Sequence, residues 1–135
     1  MSELSIVSWN VNGLRSYIVD DLLCAKFGGK DQIGRNTNLI ELIDDVNPNI
    51  ICFQETRCGS EKMDSFQIPG WRIYHSSSQG TGGRSPDRYS GVSIWLDTSL
   101  AEPIKVLHQL PTLSAPWHAG DLEGRFLALR FEEFI

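Results

Sequence analysis

Two short stretches of this sequence set carboxamides, a carboxylate and guanidinium groups side by side. They are Ser8-Trp9-Asn10-Val11-Asn12-Gly13-Leu14-Arg15 and Ile51-Cys52-Phe53-Gln54-Glu55-Thr56-Arg57. Each closes an apolar run of strand character, and in layered sheets ligands settle in the crevice beyond the carboxyl ends of the strands. A glutamate leaving an apolar strand is a partly desolvated carboxylate that needs a partner, and a divalent cation suits it. One carboxylate with carboxamides and waters fits Mg²⁺, with Mn²⁺ as a substitute. Such a hard cation keeps part of its water shell and lets substrate phosphate complete the rest. Asn10 and Asn12 can donate to a phosphate oxygen or accept from metal-bound water, and Arg15 and Arg57 supply fixed positive charge. The chemistry would be metal-assisted reaction at phosphorus, in which charge stabilisation carries most of the rate. Residue types alone leave a plainer reading open, because Asn-Gly after a strand is often only a turn and a glutamate there often only faces water.

The elements that must position these groups follow from apolar patterning. Leu4 to Val11 is short, apolar and rich in β-branched residues, which predicts a strand ending at Asn12-Gly13. Leu39, Ile40, Ile43 and Val46 recur at helical spacing behind the capping candidates Asn36, Thr37 and Asn38, and Asn47-Pro48 stops the helix. Ile50 to Phe53 has the continuous apolar character of a strand buried on both faces. A polar segment follows, then strands near 71–75, 91–96, 104–110 and 125–131. Residues 76–88 are rich in Ser and Gly and are expected to form a mobile loop. Strands dominate around one helix, an α/β (or α+β) arrangement. The sequence stops directly after a strand-like run, and a domain ending in mid-sheet leaves an unpaired edge, so a fragment truncated at the carboxyl end is expected.

Composition narrows the classes. A chain of 135 residues with 41% hydrophobic and 21% charged residues has the makeup of one globular domain. A net charge of −5 excludes a mainly electrostatic nucleic-acid coat protein and leaves room for a local basic groove. Nothing in the sequence has the length and apolarity of a membrane span, so no membrane partner is expected. Cys24, Cys52 and Cys58 are too scattered for a disulfide framework and point to reduced thiols and an intracellular setting.

The two polar stretches resemble signatures of the exonuclease III class of apurinic/apyrimidinic (AP) endonucleases, within the endonuclease/exonuclease/phosphatase superfamily. Tyr89-Ser90-Gly91-Val92 and Glu123-Gly124-Arg125 are weaker matches in the same order. The resemblance implies part of a four-layered α/β sandwich with two mainly antiparallel sheets. It also implies Mg²⁺-dependent hydrolysis of the phosphodiester on the 5′ side of an abasic site, with 3′-exonuclease or 3′-phosphatase activity alongside. Glu55 then matches the metal-binding glutamate, and Asn10 matches the asparagine beside metal and scissile phosphate. Asn12 stands one step further out. Arg15, Arg57, Arg88 and Tyr89 fall at DNA-facing positions. The implied partner is double-stranded DNA containing abasic sites, bound by a monomer, in the nucleus of a eukaryote or otherwise in the cytoplasm.

Departures accompany the matches. Arg88 stands where relatives commonly have Gly, Arg57 where they have Lys, and residues 16–36 read as an insertion. The family's later Gly-Asp-x-Asn and Ser-Asp-His motifs, which position the attacking water and stabilise the leaving oxygen, do not occur here. The 135-residue chain alone is therefore expected to be feeble. Two other functions fit the same residues: a related phosphoesterase acting on RNA, lipid headgroups or retroelement target DNA, and a non-catalytic interaction domain retaining half the fold. Trp9, Trp71 and Trp95 are expected in the core, and Trp117 is the one tryptophan placed to meet DNA.

Overall fold

In the computed structural model, residues 3–14, 38–65, 68, 70–80, 85, 87, 89–108 and 124–132 are described. Alternation along β1 (Ile6–Asn10) exposes Ile6, Ser8 and Asn10 and turns Val7 and Trp9 towards the core. β2 (Ile50–Gln54) buries Ile50, Ile51 and Phe53, as its unbroken apolar run requires. The remaining strands are β3 (Trp71–Ser76), β4 (Val92–Asp97), β5 (Lys105–Leu107) and β6 (Ala128–Arg130). The first four form one sheet in the order β1-β2-β4-β3, with β1 parallel to β2 and the other two pairings antiparallel. β5 and β6 form a separate antiparallel pair.

Helix α1 (Asn38–Val46) lies between β1 and β2 in sequence, the position of a parallel crossover. Leu39 is fully buried and Ile43 packs against the core, whereas Val46 is 45% exposed. The buried stripe is thus shorter than the spacing predicts, because the helix ends there. Asn47 takes a φ of 51° and donates its N–H to the Ile43 carbonyl at 2.9 Å, a left-handed cap ahead of Pro48. A second helix, α2 (Ser60–Ser65), occupies part of the polar segment after β2, where the sequence pattern predicts no element. Its Met63 is buried, and His75 of β3 holds it through Asp64, with Nε2 2.7 Å from Oδ1.

One face of the large sheet packs beneath both helices. Trp95 meets Phe53 edge-on at 4.9 Å between centroids, and Trp9 and Trp71 flank this pair at 6.1 and 6.4 Å. These three tryptophans are core residues, as expected; Trp117 lies outside the described residues. The opposite face carries Ile50, Cys52, Ile94 and Leu96, with Leu100, Leu129 and Phe131 packed against them. An open apolar groove of about 530 Å³ runs along it between Ile6 and Phe131. The segment expected to be a loop from 76 to 88 begins inside the structure, since Ser76 closes β3 and Ser77 and Ser78 are buried. The insertion at 16–36 lies wholly outside the described residues.

Candidate active site

The two polar stretches meet because β1 and β2 run parallel and in register. Asn10 pairs with Gln54, so the chain after each strand leaves the same sheet edge. The ladder then continues past the strands. Val11 donates its N–H to the Gln54 carbonyl at 3.1 Å, Gly13 to Glu55 at 2.8 Å and Leu14 to Thr56 at 2.8 Å. Leu14 is fully buried and anchors the first loop. On the other side, Thr56 donates its N–H to the Gly91 carbonyl at 3.0 Å and Arg57 to the Ser90 carbonyl at 2.8 Å.

The backbone beyond β2 is unusual. Glu55 and Arg57 have φ of 53° and 49°, a region that non-glycine residues rarely occupy. Thr56 between them is buried to 1% exposure, while the Glu55 and Arg57 side chains remain 45% and 43% exposed. Arg57 Nη2 approaches Glu55 Oε1 to 3.8 Å. Glu55 is therefore a half-exposed carboxylate, wetter than its place after an apolar strand predicts. On the neighbouring loop Asn12, with a φ of 47°, donates its N–H to Asn10 Oδ1 at 3.1 Å. This turn fixes the Asn10 carboxamide by its oxygen. Gln54 ties the strands together by donating from Nε2 to Ser8 Oγ at 3.1 Å.

Tyr89 forms the far rim. Its hydroxyl is hydrogen-bonded by the Arg125 guanidinium, whose Cζ lies 5.5 Å from the centre of the tyrosine ring. The same loop reaches back to α2, with Asp87 Oδ1 accepting the Gly59 N–H at 2.7 Å. The structure thus brings Asn10, Asn12, Glu55 and Arg57 to one sheet edge, with the loop bearing Tyr89 bonded to it. Arg15 and Arg88 lie outside the described residues. Sequence reasoning gave no role to Thr56, Gly91, Gly124 or Arg125. Three of the four were already visible inside the two weaker motifs.

Among the described residues, no three His, Cys, Asp or Glu side chains cluster as a metal cage. The edge offers one carboxylate, that of Glu55, and the carboxamides of Asn10 and Asn12. Such hard oxygen donors fit a cation that keeps several waters, and they do not fit a closed nitrogen–sulfur site.

Sequence comparison identifies the family to which this mixed-sheet fold belongs. The chain belongs to the Endonuclease/Exonuclease/phosphatase family, which it matches over residues 7–133. It is 29% identical over 134 residues to the DNA repair nuclease APEX1 of Danio rerio, covering 99% of this chain and 34% of that protein. It is 26% identical over 129 residues to the exodeoxyribonuclease of Bacillus subtilis, covering 96% of this chain and 39% of the relative. Among solved structures, the Xenopus laevis APE2 catalytic domain matches with a TM-score of 0.57 and 27% identity, over 92% of this chain and 38% of that one. An AP endonuclease from Archaeoglobus fulgidus matches with a TM-score of 0.58 and 25% identity, over 96% and 38%. The mixed α/β architecture with two sheets is that of these AP endonuclease structures, and the chain spans well under half the length of each relative.

Proposed function

We propose that this chain carries the amino-terminal part of the active site of a DNA-repair phosphodiesterase, one that hydrolyses the backbone 5′ to an abasic site with Mg²⁺, or Mn²⁺ in its place. The parallel register that sets Asn10 opposite Gln54, and so places Glu55 at the same edge, is the observation that carries this reading. Relatives named as DNA repair and exodeoxyribonuclease enzymes support it. Glu55 and Asn10 would hold the cation, which when bound supplies charge neutralisation at the scissile phosphate.

The chain's own residues do the rest. The Asn10 carboxamide, fixed through Asn12, is in place to donate N–H to a phosphate oxygen. Arg57 adds a guanidinium at the same rim for backbone phosphate. Tyr89, backed by Arg125, offers an aromatic face and a second cation to the flanking strand. Because the general acid–base groups, worth about 10²–10⁴-fold, belong to motifs this sequence does not contain, the isolated chain is expected to turn over slowly.

The test pairs a fluorogenic abasic duplex with an intact one in the presence of Mg²⁺, using the chain and its Glu55→Gln variant. The expected result is slow cleavage confined to the abasic duplex, loss of that cleavage in Glu55→Gln and weakened Mn²⁺ binding by calorimetry. Equal cleavage of both duplexes would favour a broader phosphoesterase. Unchanged Mn²⁺ affinity in Glu55→Gln would remove the metal site.

A further inference from the structure

The tripeptide Glu55-Thr56-Arg57 is gripped from both sides by main-chain bonds, and the grip continues outward through two glycines. Thr56 gives its N–H to Gly91 and takes the Leu14 N–H on its carbonyl; Gly91 in turn gives its own N–H to the Gly124 carbonyl at 3.0 Å. Ser90 reinforces this by donating its hydroxyl to the same carbonyl at 3.3 Å. Four separate loops are thereby laced in a row, with the turn that bears the Glu55 carboxylate held inside it.

Both glycines sit where a side chain would strike a neighbouring loop. Gly91 is buried with a φ of +97°, and a Cβ there would stand 2.2 Å from Thr56 Oγ1. Gly124 is buried with a φ of +66°, and a Cβ there would meet Ser78 N at 2.5 Å, Ser77 C at 2.6 Å and the Ser76 carbonyl oxygen at 2.9 Å. Thr56 Oγ1 is itself buried without a hydrogen-bond partner, so it occupies the space that the missing Gly91 side chain leaves. Left-handed backbone at Glu55 and Arg57 costs energy that the surroundings must offset, and the bonds to Gly91 and Ser90 are what hold it.

We propose that Gly91 and Gly124 are positioning residues for Glu55: they let two loops approach closely enough to fix the strained turn that presents the carboxylate. The inference rests on the reading of Glu55 as a metal ligand for its functional meaning, but its geometric content can be measured separately.

The experiment compares Gly91→Ala and Gly124→Ala with Gly70→Ala, all in the full 135-residue chain. Gly70 has a φ of +89° with nothing within 4 Å, so it carries similar backbone strain without the close approach. Two quantities are read: amide hydrogen exchange at Thr56 and Arg57, and affinity for Mn²⁺ alone. In Gly91→Ala both amides are expected to exchange faster than in Gly70→Ala, and Mn²⁺ affinity to fall about 10–100-fold, the range for residues that orient a metal ligand. Gly124→Ala should act in the same direction and more strongly, because its obstacles are main-chain atoms. Combining Gly91→Ala with Thr56→Ala leaves the nearest original backbone neighbour, Arg57 N, at 3.6 Å and should restore part of both signals.

Gly91→Ala is the variant expected to stay folded, since the obstructing hydroxyl can rotate. Amides as protected in Gly91→Ala as in Gly70→Ala would overturn the proposal. So would loss of Mn²⁺ affinity that merely tracks loss of stability in all three variants. If Glu55→Gln binds Mn²⁺ normally, the metal reading fails, and the exchange data still decide whether these glycines fix the turn.

Discussion

The Arg57 guanidinium lies 3.8 Å from the Glu55 carboxylate, on two left-handed residues that bracket a buried threonine. The pair is half-exposed, so its mutual attraction is screened and contributes at most about 1 kcal/mol to folding. Its consequence is functional on the proposed reading of Glu55 as a metal ligand, because a cation beside that carboxylate competes with metal while attracting phosphate.

Arg57→Ala should therefore change two affinities in opposite directions. Mn²⁺ binding is expected to tighten, since the competing charge is gone. Duplex binding should weaken, with the slope of log K against log salt reduced by about one. Calorimetry with MnCl₂ and duplex titrations at several salt concentrations measure both, and stability should stay within about 1 kcal/mol of the parent. Identical salt slopes would take Arg57 out of the DNA path.

Asn10→Asp makes the complementary case. A carboxylate can still accept the Asn12 N–H, which now reaches Asn10 Oδ1 at 3.1 Å, so the turn is kept. A second negative charge beside Glu55 should raise Mn²⁺ affinity and lower duplex affinity. Asn10→Ala instead removes the turn's hydrogen bond, at a cost of about 0.5–1.5 kcal/mol. Urea unfolding separates the two variants, and a lower Mn²⁺ affinity in Asn10→Asp would contradict the assignment of this position to the cation.

Ser93→Ala tests the core beneath the site. Ser93 Oγ accepts the Trp95 indole N–H at 3.0 Å and donates to the Tyr74 carbonyl at 2.8 Å. Trp95 is fully buried, so losing the hydroxyl strands its N–H in an apolar setting, and a loss of about 1–3 kcal/mol is expected. The urea midpoint should fall with the m-value unchanged. A loss of a few tenths would mean that another acceptor replaces Ser93.

Alkaline pH should loosen the other face of the sheet. Burial pushes the Cys52 thiol above its ordinary 9.0. Burial also raises Tyr74 above 10.0, with Glu102 adding to the rise and Arg72 opposing it. In both cases folding disfavours the charged form. The stabilisation is full below the unfolded values and is lost as pH climbs through the raised folded ones. The urea midpoint should thus decline above pH 9, less steeply in Cys52→Ala. A midpoint independent of pH between 9 and 11 would be inconsistent with the partial burial of these groups.

The strands that carry the chemistry were readable because their sidedness is written in adjacent residues. Ile50 to Phe53 is a run no solvent-facing strand would have, and the turn at Asn12-Gly13 marks where β1 must stop. Helix α2 was not readable: six residues, among whose described side chains only Met63 is buried, contain too little to show a 3.6-residue period. Glu55, Asn10 and Arg57 could be chosen by type and place after a strand. Gly91 and Gly124 could be copied as letters of a motif without their purpose being visible. Their contacts join residues dozens of positions apart, and only folded coordinates show that a side chain at either would strike a neighbouring loop.

Because the rim beyond β1 and β2 is stitched peptide to peptide, its stability owes little to which side chains project from it. Gly13, Glu55, Thr56, Arg57 and Gly91 are joined through groups that nearly every amino acid possesses. Positions 55, 57 and 89 can therefore be exchanged for other reactive groups while the scaffold beneath keeps its shape. That makes this edge a suitable platform on which to install a different hydrolytic chemistry by altering only what points outward.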